Sequence, residues 1–400
     1  MTVVDRWLLP DGVEEILPNR ALKMERLRRS LLDIYHSWGY DLVIPPMVEF
    51  SESLLSGTGS DLDLLTFKVT DQLSGRMMGV RADITPQTTR MDAHSLRLKG
   101  PCRLCYAGTV LYTRPRSPLQ SRCPIQIGVE LYGEASLAAD LEVINLLVQT
   151  LRTTGMKKIN LDLGHVGIYR SLLEVAELTK EQEKDLFDLL QRKAVPELES
   201  WLATNVNDRS VGEMLRQLVD LAGDVTVIDK ARDVFAEAPA ELEVALDELA
   251  EVVTQLGRTA PDAEIYLDLC ELRGYHYHTG IVFAAFAPGH GQAIGNGGRY
   301  DHVGEAFGRS RPATGFNVNL NDLAALTCTE GNDSVNTVEG GIYAPAGYDE
   351  GLQQTILELR ARGERVVCGF AGQQPDFVEL HCNRQLVFDN GDYRVVTVSE

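Results

Sequence analysis

One stretch of this 400-residue chain limits its fold more than any other: residues 106–133, YAGTVLYTRPRSPLQSRCPIQIGVELYG. It reads strand, loop, strand. The first strand, expected over 105–113, is dense in aromatic and aliphatic residues. The loop 114–121 carries two prolines, which cannot donate to a ladder. The second strand, expected over 125–132, alternates. Ile125, Ile127, Val129 and Leu131 face one way, and Gln126, Gly128, Glu130 and Tyr132 the other, because strand side chains have period two. One face thus shows an amide, a gap without a side chain, and a carboxylate. That suits a small ligand with a cationic or donor-rich group lying over Gly128. The same alternation also describes the solvent face of an ordinary antiparallel strand.

Length and 44% hydrophobic content allow two or three domains with a sizeable core. No apolar run approaches a membrane span, so no membrane association is expected. The start, MTVVDRWLLPDGVEEILP, carries acids and a Pro-Asp-Gly turn, unlike a signal peptide. Seven scattered cysteines suit reduced thiols and a cytoplasmic location. Cys102 and Cys105 form a CxxC with no second pair at zinc spacing, so no metal is expected. A net charge of −20 repels polyanions at long range, and no nucleic-acid partner is expected.

In chain order, Leu27, Leu31, Ile34, Tyr35 and Trp38 predict a helix over 19–38, followed by a short strand over 40–44 that Pro45 and Pro46 stop. Strands are expected over 67–70 and 77–81, joined by a polar turn at 71–75. A helix over 86–98 starts with Pro86, which makes Asp83 and Thr85 candidates for its N-cap region. A helix over 137–153 and a strand over 158–163 follow. From about 166 to 256 the chain is polar and nearly all helical. The strand pattern resumes at 263–269, then runs into LRGYHYHTGIVF at 272–283. There His276 and His278 share a strand face and are candidate metal ligands, without a third ligand nearby. GNGGRYD at 295–301 reads as a glycine-rich turn. A polar linker covers 327–340. Strand, helix and strand follow at 341–346, 349–363 and 365–369, and then a hairpin over Asn390-Gly391.

Several of these stretches resemble the motifs of class II aminoacyl-tRNA synthetases in their histidyl form. Residues 108–133 resemble motif 2: Gln126, Gly128, Glu130 and Gly133 match its amino-acid-binding half. The motif's ATP-binding arginine falls on Tyr112, and its glutamate on Arg114. VRADIT at 80–85 is similar to LRPEGT, whose acid and threonine receive the amino group of histidine; here these are Asp83 and Thr85. Residues 272–283 resemble the histidine-specific RGLDYY motif at Arg273, Gly274 and Tyr277, with His276 on its acid and His278 on its second tyrosine. GNGGRYD resembles AGGRYD, with Asn296 for alanine. Residues 313–323 fall on motif 3, whose ATP-binding arginine is Asp322 here. The long helix, strand and prolines near the start resemble motif 1, a dimer interface. The helical stretch falls where such synthetases carry an insertion.

The resemblance implies an α+β fold: a class II synthetase-like antiparallel sheet flanked by helices, a helical insertion and a small C-terminal α/β segment. The expected domains are a core at 1–165 and 260–326, the insertion at 166–259, the linker, and 341–400. A retained amino-acid pocket with both ATP arginines lost is most similar to the regulatory subunits of ATP phosphoribosyltransferase, the first enzyme of histidine biosynthesis. That family implies a chain with no chemistry or cofactor of its own. It binds a separate short catalytic subunit, activates it and makes it sensitive to L-histidine, as a homodimer core within a hetero-octamer. By resemblance, Asp83, Thr85 and Gln126 receive the histidine ammonium, Arg273 the carboxylate, and Glu130 with Tyr277 or His278 the imidazole. The alternative is an active histidyl-tRNA synthetase, in which Arg114, Arg116 or Arg122 replaces the lost cations. A stand-alone amino-acid ligase on the same fold inherits the same need.

Overall fold

The computed structural model describes residues 7–57, 60–115, 120–272, 274–275, 277–326 and 340–398. They divide into two compact units, 1–330 and 331–400.

The first unit is built on a nine-stranded sheet. Its strands are β1 (Asp41–Leu42), β5 (Cys102–Thr109), β6 (Ile125–Tyr132), β7 (Ile159–His165), β8 (Ala222–Gly223), β9 (Ala263–Asp268), β10 (Ile281–Phe286), β11 (Gly295–Arg299) and β12 (Ala313–Asn319). Their order is β1-β5-β6-β12-β11-β10-β7-β9-β8. The middle of the sheet, β5 to β7, is antiparallel throughout. Two pairings are parallel, β1 with β5 and β7 with β9. A parallel pair needs a long crossover, and the helical stretch between β7 and β9 provides it. A small sheet of β2 (Val48–Phe50), β3 (Phe67–Thr70) and β4 (Met77–Val80), in the order β2-β4-β3, stands beside it.

One face of the large sheet buries Ile127, Val129 and Leu131 against Leu31 and Tyr35 of helix Pro18–Ser37 and Val143, Ile144 and Leu147 of helix Leu137–Arg152. Spacings of three and four make each apolar stripe face the sheet. The opposite face of β6 is also covered. Gln126, Glu130 and Tyr132 are buried there, under the segment Thr85–Leu96.

That segment departs from the expected single helix over 86–98. It is α-helical over Thr85–Arg90, then a π-helix over Met91–Leu96, closed by Arg97 in the left-handed region at φ 53°. Buried Asp92 accepts from Arg311 Nη1 at 2.8 Å within this π turn, tying it to the chain before β12. The expected glycine-rich turn at 295–301 is in fact mostly strand β11, in mid-sheet. Its glycines suit a strand because Phe283, Leu147 and His278 fill the space their side chains would take. The strand expected over 40–44 shortens to β1.

Between β7 and β9 run the helices Val166–Ala176, Lys180–Gln191, Val195–Asn205, Arg209–Gln217, Val227–Val234 and Ala240–Thr259. Their buried leucines join the core of the sheet. None of the described helices is long and apolar enough to cross a membrane.

The second unit has four strands, β13 (Gly341–Ala344), β14 (Val366–Cys368), β15 (Cys382–Asp389) and β16 (Asp392–Thr397), ordered β14-β13-β15-β16. Helix Glu350–Ala361, N-capped by Asp349, buries Leu352 and Ile356 with Ile342, Ala344 and Leu386. At the β15–β16 turn Asn390 and Gly391 both have positive φ, the I′ geometry that matches strand twist. Of the linker expected at 327–340, all but Gly340 lies outside the described residues.

Candidate functional site

Register on β6 sets the site. Glu130 pairs with Leu104 on β5 and Gly315 on β12, and Gly128 with Tyr106 and Asn317. A Cβ at Gly315 would collide with the Glu130 carboxylate, and one at Gly128 would lie 2.7 Å from the Tyr106 hydroxyl. These two glycines therefore make room for a carboxyl and a phenol side by side. The gap over Gly128 is occupied by Tyr106, a correction to the expectation that a ligand lies directly on that glycine.

Glu130 is 1% exposed and fully engaged. Its Oε1 accepts from Thr85 Oγ1 at 2.8 Å and from the Tyr106 hydroxyl at 3.0 Å, and its Oε2 accepts from the Tyr300 hydroxyl. The network continues through Tyr132, 3.3 Å from Tyr300, whose hydroxyl donates to Thr88 Oγ1 at 3.0 Å. Burial pushes the Glu130 carboxyl up to about 8, against the three hydroxyl bonds that favour its charged form. An isolated buried charge is costly, and that cost is what raises this carboxyl.

Asp83 stands at the start of helix Thr85–Arg90. Its Oδ1 accepts from Ile84 N at 2.7 Å and from Gln126 Nε2 at 2.9 Å, while Gln126 Oε1 accepts from Ile84 N at 3.0 Å. Gln126 is thereby fixed in orientation, and Oδ2 of Asp83 has no partner among the described residues. Asp83, Thr85, Gln126 and Glu130 thus form one connected cluster.

The loop before β10 supplies two more of the expected residues. The Tyr277 hydroxyl is buried and has no hydrogen-bond partner among the described residues. Its ring stacks on Tyr300 with centroids 5.1 Å apart. Burial, then the Glu130 and Asp83 carboxylates, push this phenol well above its usual range. His278 Nδ1 lies 3.2 Å from the Arg299 carbonyl. A carbonyl only accepts, so Nδ1 carries the proton and Nε2 the lone pair. Burial lowers this imidazole to about 4 and keeps it neutral. Gly274, at φ +69°, lies so close that a side chain there would strike the His278 ring. Arg273 and His276 lie outside the described residues, and among the described residues no group of three metal-ligating side chains occurs.

Two site residues escaped the sequence reading, Tyr106 and Tyr300. Tyr106 had a signal, a large aromatic directly across from a glycine on the neighbouring strand. Tyr300 follows β11, and only the tertiary fold aims it at Glu130.

Beside the pocket, and sharing Gln126 with it, is a small open cleft of about 70 Å³. Tyr112, Gln120, Asn296, Asn317, Asn319 and Asp322 line it, and no lysine or arginine is found among its described lining residues. Tyr112 packs with Ile84, Tyr106 and Val110 in an apolar cluster. Burial pushes Asp322 above its ordinary value. Of the three arginines that could stand in for lost cations, Arg122 is committed to the Tyr112 and Asp11 carbonyls at 3.0 and 2.9 Å. Arg114 is exposed, and Arg116 lies outside the described residues.

The histidyl-tRNA synthetase family model matches residues 12–323, and that of the ATP phosphoribosyltransferase subunit HisZ C-terminal domain matches 339–396. Among curated proteins, the ATP phosphoribosyltransferase regulatory subunit of Saccharophagus degradans is 52% identical over 398 residues, covering all of both chains. That of Teredinibacter turnerae is 53% identical, covering 99% of both. Among solved structures, an ATP phosphoribosyltransferase regulatory subunit/histidyl-tRNA synthetase from Bacillus halodurans superposes with TM-score 0.81 at 25% identity, over 94% of this chain and 95% of that one. A histidyl-tRNA synthetase from Nostoc shares the fold, with TM-score 0.77 at 17% identity over 98% and 97% of the two chains.

Proposed function

The chain belongs to the ATP phosphoribosyltransferase regulatory subunit family, and on that premise we propose that it binds free L-histidine in the Glu130 pocket and conveys its presence to the catalytic subunit. The family's role is regulatory, so the phosphoribosyl transfer belongs to a separate catalytic chain. The short-form catalytic subunit is the proposed partner, with this chain forming a homodimer core within a hetero-octamer. Its location is the cytoplasm. The observation that carries the reading is the contrast between a connected polar cluster and an adjoining cleft whose described lining holds no lysine or arginine. Triphosphate recognition relies on arginine forks and lysines, and the tyrosine and aspartate at 112 and 322 supply neither.

In the proposed complex the ammonium group lies against Asp83, Thr85 and Gln126, where Asp83 Oδ2 has an open acceptor. The imidazole lies between Glu130 and the Tyr277 hydroxyl, which is otherwise unpartnered. His278 offers a second acceptor at Nε2. Arg273 takes the carboxylate. Partner activation and histidine inhibition are then differential binding between two states of the complex, and each ligand changes the other's affinity reciprocally.

The test is calorimetric titration of the full chain with L-histidine and, separately, with Mg-ATP, alongside an assay for histidyl-adenylate. Histidine binding without ATP binding or adenylate is expected. Adenylate formation would restore the synthetase alternative. If neither ligand binds, the pocket assignment is wrong.

A further inference from the structure

The loop that carries Tyr277 and His278 has a second side, and that side is held by the helical stretch. Tyr275 and Tyr277 are alternate residues of one tight turn. Tyr277 N and His278 N both bond the Gly274 carbonyl at 2.8 Å. Tyr277 turns toward Tyr300 and the pocket, whereas Tyr275 turns the other way. The Tyr275 ring meets Tyr169 of helix Val166–Ala176 edge-on at 5.0 Å and Phe187 of helix Lys180–Gln191 at 6.0 Å. Arg170 closes this slot, with its guanidinium 5.5 Å from the Tyr275 ring centroid. Its Nη2 also donates to the His278 carbonyl at 3.1 Å. Two residues further on, the Gly280 carbonyl accepts from Val166 N at 3.1 Å, at the first turn of the same helix.

We propose that Arg170 is a positioning residue for the ligand pocket, and that helix Val166–Ala176 is the back wall against which the Tyr277–His278 loop is set. The guanidinium fixes the loop at two points that flank Tyr277, one ring and one carbonyl. A cation over an aromatic face and a charged donor on a carbonyl are both stronger where partly desolvated. Among the described residues, no other group donates to the His278 carbonyl. Without Arg170 the turn keeps its internal hydrogen bonds but loses its tether, and Tyr277 and His278 sample positions away from Glu130. The helical stretch thereby has a use that needs no polyanion: it presents one wall of an amino-acid site. By linkage, occupancy of the pocket also steadies helices Val166–Ala176 and Lys180–Gln191.

This inference rests on the histidine reading for its ligand but not for its geometry, and two measurements separate them. The first is amide hydrogen exchange of ligand-free full chain, comparing Arg170→Ala and Arg170→Lys with the unsubstituted protein. Exchange over 274–280 is expected to quicken about tenfold in Arg170→Ala, as for loss of one charged hydrogen bond, with β10 unchanged. Arg170→Lys keeps a cation and a donor, and recovers part of the protection. Unchanged exchange over 274–280 in Arg170→Ala overturns the proposal. So does quickening that spreads equally through β7 and β10, which would mark general destabilisation. The second is calorimetry with L-histidine. An affinity about tenfold weaker in Arg170→Ala, partly restored in Arg170→Lys, is expected. Equal affinity in both variants overturns the positioning role. If the unsubstituted chain does not bind histidine while the loop still loosens in Arg170→Ala, the ligand reading fails and the positioning role stands.

Discussion

The floor made by β6 and β12 carries two neighbouring hollows that have been treated oppositely. Around Glu130, every hydroxyl within reach is recruited: Thr85, Tyr106 and Tyr300 all donate to one buried carboxyl. Around Asp322, the described lining is side-chain amides, a tyrosine, a serine, four apolar residues and a half-buried acid. Both hollows share Gln126. The first is a connected polar network around one carboxyl. The second offers several neutral hydrogen-bonding groups, and none of its described lining residues carries a positive charge. The difference teaches where the first hollow's residues depend on one another: three hydroxyls share one carboxyl, and removing Glu130 strands all three.

That difference is broken most directly at Glu130. Glu130→Ala leaves buried donors without an acceptor, at about 1–3 kcal/mol for such a loss. Histidine affinity is expected to fall by roughly tenfold to a hundredfold. Calorimetry of the variant checks the affinity, and an assay of the reconstituted complex checks feedback by histidine. Unaltered feedback would mean that the effector binds elsewhere.

The cleft is tested by giving back what it lacks. A double variant, Tyr112→Arg with Asp322→Arg, restores two cations to a cleft of neutral amides. It is expected to gain about tenfold or more in affinity for Mg-ATP over the unsubstituted chain, since charge-assisted bonds to phosphate are the strong ones. Tyr112 sits in an apolar cluster with Ile84 and Val110, so its replacement alone is expected to lower the melting temperature without that gain. Measurable ATP binding by the unsubstituted chain would erase the contrast.

Tyr277 separates stability from binding. Its hydroxyl is buried without a partner, so Tyr277→Phe removes an unsatisfied group and leaves stability equal or slightly higher. Histidine affinity is nonetheless expected to fall by a net hydrogen bond, about 0.5–1.5 kcal/mol. Thermal unfolding and calorimetry on the same variant read the two effects. A loss of stability without a loss of affinity would make this tyrosine a packing residue.

The readable part of the site was the part written in local periodicity. Alternation on β6 put Gln126 and Glu130 on one face, and the start of a helix at Pro86 put Asp83 and Thr85 near its N-terminus. The apolar stripe of helix Pro18–Ser37 and the turn at Asn390-Gly391 are local in the same sense. What escaped was non-local. Tyr300 is 170 residues from Glu130, and no spacing rule connects them. Tyr106 fills a gap that the strand pattern alone shows as empty. The glycines of β11 read as a turn because glycine breaks isolated strands, yet here rings from neighbouring strands and helices supply the missing volume. The π turn after Arg90 carries the buried Asp92–Arg311 pair, which links residues far apart in the chain.

The finest test of the contrast is its dependence on pH. Burial raises Glu130 from an unfolded value of 4.5 to about 8. Between these values the folded chain holds a proton that the unfolded chain has released. Its contribution to stability is therefore complete below about pH 4.5, shrinks as pH rises, and is gone above about pH 8. His278 acts in the opposite sense: lowered from 6.5 to about 4, it contributes fully above about pH 6.5 and loses that contribution as pH falls toward 4. Between pH 6.5 and 8 only the first of these two groups changes its contribution. Over that window the unsubstituted chain is expected to lose more melting temperature than Glu130→Gln, which carries no titratable proton but keeps a similar shape. Equal slopes would mean that the Glu130 carboxyl is charged throughout, and that the hydroxyls around it outweigh its burial.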